Sequence, residues 1–145
     1  MAKQKRLSLV SVITPFPYSI ENSAAIDEAK RMMEKHDIRH LIVREDGDIA
    51  GVLSERDLLH HAAAYGSKID GNMRVGDICS GTFVVADIND QLEKVLEVMA
   101  ERHLGSVVVL NKGDVAGIFT ATDACKHFAR FIQRLDPKHV PDLRA

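Results

Sequence analysis

Apolar residues recur every three or four positions over two stretches, Ile26, Ala29, Met33 and Leu92, Val95, Leu96, Met99. That period marks one face of an α-helix, so residues near 24–36 and 90–102 are predicted as amphipathic helices. Each is followed by a short run rich in β-branched side chains, Leu41-Ile42-Val43 and Val107-Val108-Val109, which reads as buried strand. Asp46-Gly47-Asp48 and Lys112-Gly113-Asp114 carry the glycine of a tight hairpin turn. Ile49–Leu53 and Val115–Phe119 are the returning strands. A further helix is predicted from near Ser54 and another from near Thr120. The later one should reach about Arg134, with Cys125, Phe128 and Ile132 on its buried stripe. Tyr18-Ser19-Ile20 and Val84-Val85-Ala86 are short strands ahead of each set.

The two sets are one pattern repeated. With Asp27 set over Glu93, the whole segment Asp27–Ala63 lies over Glu93–Ala129 without a gap. Met33/Met99, Val43/Val109, Gly47/Gly113, Asp48/Asp114, Ala50/Ala116, Gly51/Gly117, Asp57/Asp123, His61/His127 and Ala63/Ala129 are identical. Ile38/Leu104, Leu41/Val107, Ile49/Val115 and Val52/Ile118 match in kind. Two copies of one supersecondary unit follow, each giving the other a surface on which to bury its apolar face. The expected fold class is α+β, with the order β-α-β-β-α twice. Residues 9–64 are the first unit, 65–74 a linker with Tyr65, Gly66, Ser67, Gly71 and Asn72, 75–134 the second unit, and 135–145 a loose tail with Pro137 and Pro141.

Composition narrows the function. Of 145 residues, 46% are hydrophobic and 28% charged, the balance of a soluble globular protein that needs no metal or disulfide staple. Nineteen Lys and Arg against 21 Asp and Glu give a net charge of −2, which argues against a nucleic-acid binder. With no Trp, two Tyr and five Phe, stacking platforms for single strands are scarce. No apolar run approaches the length that a bilayer demands, so no membrane span is expected. Lys3, Lys5 and Arg6 before Leu7–Ile13 imitate a secretory signal, but Ser8 and Ser11 break the apolar stretch and no cleavage site follows. Cys79 and Cys125 have no metal-ligand spacing. A cytoplasmic protein with free, buried thiols is the expectation.

Chemistry concentrates where the second hairpin strand meets the second helix: Gly51-Val52-Leu53-Ser54-Glu55-Arg56-Asp57 and Gly117-Ile118-Phe119-Thr120-Ala121-Thr122-Asp123. Ser54 or Thr120 with an acid three residues on is a capping box, and helix capping alone would justify the pattern. A binding role would use the same groups. A helix N-terminus offers N–H groups and partial positive charge to a phosphate, the hydroxyl can donate to it, and a carboxylate accepts two hydrogen bonds from a ribose diol. The glycine ahead removes a side chain where another group must come close.

Gly-apolar-apolar-(Ser/Thr)-x-x-Asp at this turn, in both of two tandem β-α-β-β-α units, resembles the cystathionine β-synthase (CBS) domain family over roughly residues 9–134. Val12-Ile13-Thr14-Pro15 is similar to the family's leading segment and His36-Asp37-Ile38-Arg39-His40 to its helix-to-strand turn. The second copy departs from the first, with Cys79-Ser80-Gly81 where Ile13-Thr14-Pro15 stands. The resemblance implies a CBS pair, packed about a pseudo-two-fold axis with two clefts, that binds AMP, ADP or ATP, or less often S-adenosylmethionine or NADH. It implies ribose contacts from Asp57 and Asp123, and phosphate contacts from Ser54, Arg56, Thr120 and Thr122. The base would lie against Thr14, Pro15 and Tyr18 with Ile38 and His40, or against Thr82 and Val84 with Leu104 and Ser106. Arg56 makes the first site the better anion site, because a guanidinium pairs with phosphate and Thr122 cannot.

Other chemistry lacks its parts. His60 and His61 point about 100° apart on a helix, and a helix-to-strand turn separates His36 from His40, so no metal site is expected and the histidines read as solvated. His61 and His127, four residues after each motif Asp, suit packing or dimer contact. No nucleophile–base grouping, P-loop, zinc motif or G-x-G-x-x-G is present, so no enzyme is expected and no cofactor is required. The expected function is a regulatory sensor that signals to an unidentified partner protein and pairs as a homodimer through its apolar helix faces. The alternative is a dimerising scaffold that binds no nucleotide.

Overall fold

The computed structural model describes residues 6–65, 72–79 and 81–136. Most of the expected linker (Gly66, Ser67, Gly71), Ser80 and the tail with Pro137 and Pro141 lie outside the described residues. The chain divides into two compact α+β units.

One unit spans Pro17–Phe83. Its sheet has the order β2 (Ser19–Glu21), β3 (His40–Glu45), β4 (Asp48–Ser54), with β2 parallel to β3 and β3 antiparallel to β4. Between β2 and β3 runs α2 (Ile26–His36). Asp27 and Glu28 in its first turn and Lys35 and His36 in its last suit the helix dipole. Asp37 ends it in the left-handed conformation. From β4 the chain enters α3 (Glu55–Tyr65), and the one-turn helix α4 (Val75–Ile78) follows.

The other unit takes in the described residues up to Phe16 and from Val84 onward. Its sheet order is β1 (Thr14–Pro15), β7 (Asp114–Thr120), β6 (Ser106–Asn111), β5 (Val85–Asp87). Its helices are the one-turn α1 (Leu9–Val12), α5 (Leu92–Glu101) and α6 (Ala121–Leu135). Both hairpins turn on two residues at positive φ, Asp46-Gly47 at 50° and 86° and Lys112-Gly113 at 51° and 86°, the type I′ geometry that follows strand twist. Both then bulge at the same place. Val43 faces Gly51 and Arg44 faces Ile49, leaving Ala50 unpaired; Ala116 repeats this between Gly117 and Val115.

The one-turn helices were not legible as elements, and each joins the core built by the other repeat. Leu9 and Val12 are buried with Val107, Val109 and Phe119, while Val75 is buried with Ile26, Ala29 and Leu41. Leu9 and Val75, which open α1 and α4, stand at the same offset as Asp27 and Glu93, so the internal repeat extends back to them. After α1, Thr14 pairs with Ile118 and Pro15 with Gly117 along the sheet edge, where a proline without N–H is tolerated. A Cβ on Gly117 would stand 2.5 Å from the Thr14 carbonyl and 2.9 Å from Ile13 Cδ1. The close approach expected at this glycine is therefore made by the chain's own leading segment. The end of the expected linker is likewise part of the fold: Ile26 N–H donates to Met73 O at 3.4 Å and Arg74 forms a β-bridge with Ala25, while just beyond it Val75 N–H donates to Ala24 O at 2.8 Å and Gly76 N–H to Asn22 O at 2.8 Å.

Two expectations are corrected. Cys125, Phe128 and Ile132 do not lie on a buried stripe, because α6 buries none of its residues. Nor are the thiols buried: Cys125 is exposed and Cys79 half-buried. Helical periodicity identifies an apolar face but not what covers it. Among the described residues no helix is long and apolar enough to cross a membrane.

Candidate functional site

The two motif turns make the same set of hydrogen bonds. Asp57 N–H donates to Ser54 Oγ at 3.1 Å, and Ser54 N–H donates back to Asp57 Oδ2 at 2.8 Å. Asp123 N–H donates to Thr120 Oγ1 at 3.1 Å, and Thr120 N–H to Asp123 Oδ2 at 3.0 Å. Each is a complete capping box. The first helical N–H is also used, Glu55 donating to Arg39 O at 2.9 Å and Ala121 to Gly105 O at 3.0 Å. That bond ties each motif turn to the helix-to-strand turn of its own unit. His40 stands opposite Ser54 in the strand register, and Ser106 opposite Thr120.

Several groups remain for a ligand. Capping engages Oδ2 of each Asp and leaves Oδ1 of Asp57 and of Asp123 outside the cap. A carboxylate has about four lone-pair sites, so capping and diol binding are compatible. Both hydroxyls accept a backbone N–H and keep their own proton to donate. The N–H groups of Arg56 and Thr122, second in each helix, bond to no group among the described residues, and both residues are exposed. A hydroxyl, an N–H and a carboxylate thus converge at one helix start, which suits a phosphate beside a diol.

The remaining expected site residues are placed by backbone contacts. Thr14 and Pro15, expected beside the first motif, have their backbone paired to the strand that leads into the second, at Ile118 and Gly117. Tyr18 stacks on His36, with centroids 3.9 Å apart and planes 16° from parallel, so His36 is not simply a solvated histidine. Tyr18 O accepts from Ile42 N–H at 3.0 Å, and Val84 O from Val108 N–H at 2.9 Å. Those bonds hold the segments ahead of β2 and β5 against their sheets, Thr82 lying just ahead of the second in sequence. Ile38 and Leu104 are pinned through N–H bonds to Met33 O and Met99 O at 3.0 and 2.9 Å.

Sequence reasoning missed one feature of the first motif. The Arg39 guanidinium donates to Glu55 Oε2 at 2.7 Å, across the same two turns that the backbone joins. In the second copy Gly105 and Ala121 stand at these positions. The overlay of the two repeats carried the signal, since both partners change together. The pair places a carboxylate at the first helical residue, where a bound phosphate would meet it as a like charge. Cys79 lies in the same unit, its pKa pushed up to about 11, first by burial and then by the nearby charge of Asp57. The thiol is therefore neutral at neutral pH and a poor nucleophile. No group of three metal-ligating side chains comes together among the described residues.

Known proteins share the repeated pattern and the fold. The CBS domain family model matches residues 9–64 and 75–130. The CBS domain-containing protein YhcV of Bacillus subtilis is 25% identical over 116 residues, covering 80% of this chain and 81% of that protein. Two solved structures share the fold. The CBS domain pair of protein MJ0100, in complex with 5-methylthioadenosine and S-adenosyl-L-methionine, aligns with a TM-score of 0.74 at 20% identity, over 86% of this chain and 98% of that one. CBSX2 in complex with AMP aligns with a TM-score of 0.70 at 21% identity, over 88% and 99%. With the family model matched twice over most of its length, and the motif turn built alike in both matches, the chain belongs to the CBS domain family and carries two copies of the domain.

Proposed function

We propose that the chain is a non-catalytic regulatory module that binds an adenosine-containing ligand at its motif turns and passes the bound state to a partner protein. AMP, ADP and ATP are the leading ligands, ahead of S-adenosylmethionine and NADH. One observation carries the reading: a hydroxyl, a helix N–H and a carboxylate with one oxygen outside its cap converge at a helix start, twice, at a fixed offset. Asp57 and Asp123 hold the ribose; Ser54 with Arg56, and Thr120 with Thr122, hold the phosphate. The segments around Ile38–His40 and Leu104–Ser106, with Tyr18, Thr82, Val84, Thr14 and Pro15, flank the base. That MJ0100 and CBSX2 were solved with adenosine compounds supports the ligand class.

The test is a thermal-shift panel of AMP, ADP, ATP, S-adenosylmethionine and NADH. A ligand at a hundred times its dissociation constant adds about 2.7 kcal/mol of stability, a clear shift. The second reading, a scaffold without nucleotide, is favoured by the completeness of both capping boxes, which account for Ser-x-x-Asp by themselves. A panel without any shift decides for it.

A further inference from the structure

The sheet of the second repeat ends in an open edge. β5 is the last strand in the order β1-β7-β6-β5, and among the described residues no strand pairs with its outer side. Every second residue turns its backbone inward: Val84 O accepts from Val108 N–H at 2.9 Å, and Ile88 N–H donates to Leu110 O at 2.8 Å. Val85 and Asp87 therefore face outward. Asp87 is used by the turn that follows, its N–H donating to Asp90 Oδ2 and its O accepting from Asp90 N–H, both at 2.9 Å. The N–H and C=O of Val85 are the pair left for another chain.

A groove runs beside this edge. Between β5 and α5 lies a cavity of about 370 Å³, walled by Val84, Ala86, Val95, Val98 and Val107 and with Lys94 on its rim. Val85 itself is 44% exposed. Sheets commonly guard an edge with charge or proline, and Phe83-Val84-Val85-Ala86 has neither. The first repeat shows that the fold does not require such an edge. β2 also ends its sheet, but Pro17 precedes it and Ser19 stands at the place of Val85. Its matching cavity is lined by Ser19, Glu21, Ser23 and Glu28.

An open backbone pair beside an apolar groove indicates the occupant. A helix bonds its own backbone and leaves Val85 unmet. An extended segment can bond to the edge and turn every second side chain into the groove. Valine and alanine walls suit aliphatic side chains there. We propose that the β5–α5 groove seats an extended segment of a partner protein, added to the sheet as a further strand with aliphatic side chains at alternate positions. This site is independent of any nucleotide at the motif turns.

A displayed library of random decapeptides, panned on the full chain, tests it. Enriched peptides should carry Val, Ile or Leu at alternate positions and bind wild type saturably by fluorescence anisotropy. Val85→Pro removes the outward N–H without breaking a bond inside the sheet, and Val98→Lys puts a charge in the groove. Each should weaken an enriched peptide about tenfold or more, with circular dichroism to establish that the variants are folded. Ser19→Pro, the same change in the first repeat, should leave binding unchanged. Wild type alone decides if both groove variants misfold: N-methylating alternate amides of the peptide should abolish binding in one register and spare it in the other. A library that yields no binder overturns the proposal. So do binders with helical spacing, binders that keep their affinity for the folded groove variants, or binders indifferent to N-methylation in both registers. Edge-to-edge pairing of two copies that Val85→Pro abolishes would overturn it as well.

Discussion

A carboxylate in a capping box keeps one oxygen for its own helix and has the other for a guest, so stability and affinity report on different atoms. Asp57→Ala should cost about 0.5–2 kcal/mol of stability through the cap, read by urea titration. It should also weaken AMP at least tenfold, since a diol hydrogen-bonded to a charged acceptor contributes about 1.5–3 kcal/mol. Capping alone would give the first effect without the second. Glu55 argues in the opposite direction. Its carboxylate at the first helical residue occupies Arg39 at 2.7 Å and opposes an incoming phosphate. Glu55→Gln is therefore expected to raise affinity for AMP several-fold and leave adenosine unchanged, by calorimetry at low salt. Cys79 yields a pH prediction. Its pKa rises from the ordinary 9.0 to about 11 in the fold, so the folded state holds the proton more tightly than the unfolded one. The stabilisation is complete below pH 9 and lost as pH climbs from 9 to 11. Cys79→Val should flatten that part of the urea-midpoint profile, and a wild-type profile without a fall there would contradict the shift.

The helices and hairpins follow from local pattern, while the one-turn helices depend on distant contacts. Leu9–Val12 and Val75–Ile78 are one turn each, too short for helical periodicity to register. Their place is fixed by packing across the chain, Leu9 against Val107, Val109 and Phe119. Leu9→Ala should therefore cost about 2–5 kcal/mol, as a fully buried leucine does. Gly117→Ala should cost about 1–3 kcal/mol by overpacking against Thr14 O; a thermal melt reads both. The hairpin turns, by contrast, were legible, because Asp46-Gly47 and Lys112-Gly113 supply the glycine that a tight turn needs; the strands run a residue or more longer than expected and the bulges at Ala50 and Ala116 carried no signal. Of the candidate site, the two motif turns were readable from spacing alone. The leading segment's pairing with β7 was not, since nothing in Thr14-Pro15 names its partner strand. The bare face of α6 was half legible: periodicity gave the stripe, and only the fold reveals that no part of it is buried.

At the scale of the whole molecule, duplication with divergence is the organising fact. Two copies of one motif turn carry unequal chemistry: Arg56 and the Arg39–Glu55 pair at the first, Thr122 with Gly105 and Ala121 at the second. On the proposed reading, an anion held through the Arg56 guanidinium should lose affinity as salt rises, the first site more steeply than the second. Whether the motif aspartates hold an adenosine ligand is decided by titration calorimetry. AMP is titrated into wild type and into the Asp57→Ala, Asp123→Ala double variant, with far-UV circular dichroism to establish that both are folded. Wild type should give saturable heat and the variant an affinity at least tenfold weaker, or no heat; equal affinity in the two would rule out a ligand role for these aspartates.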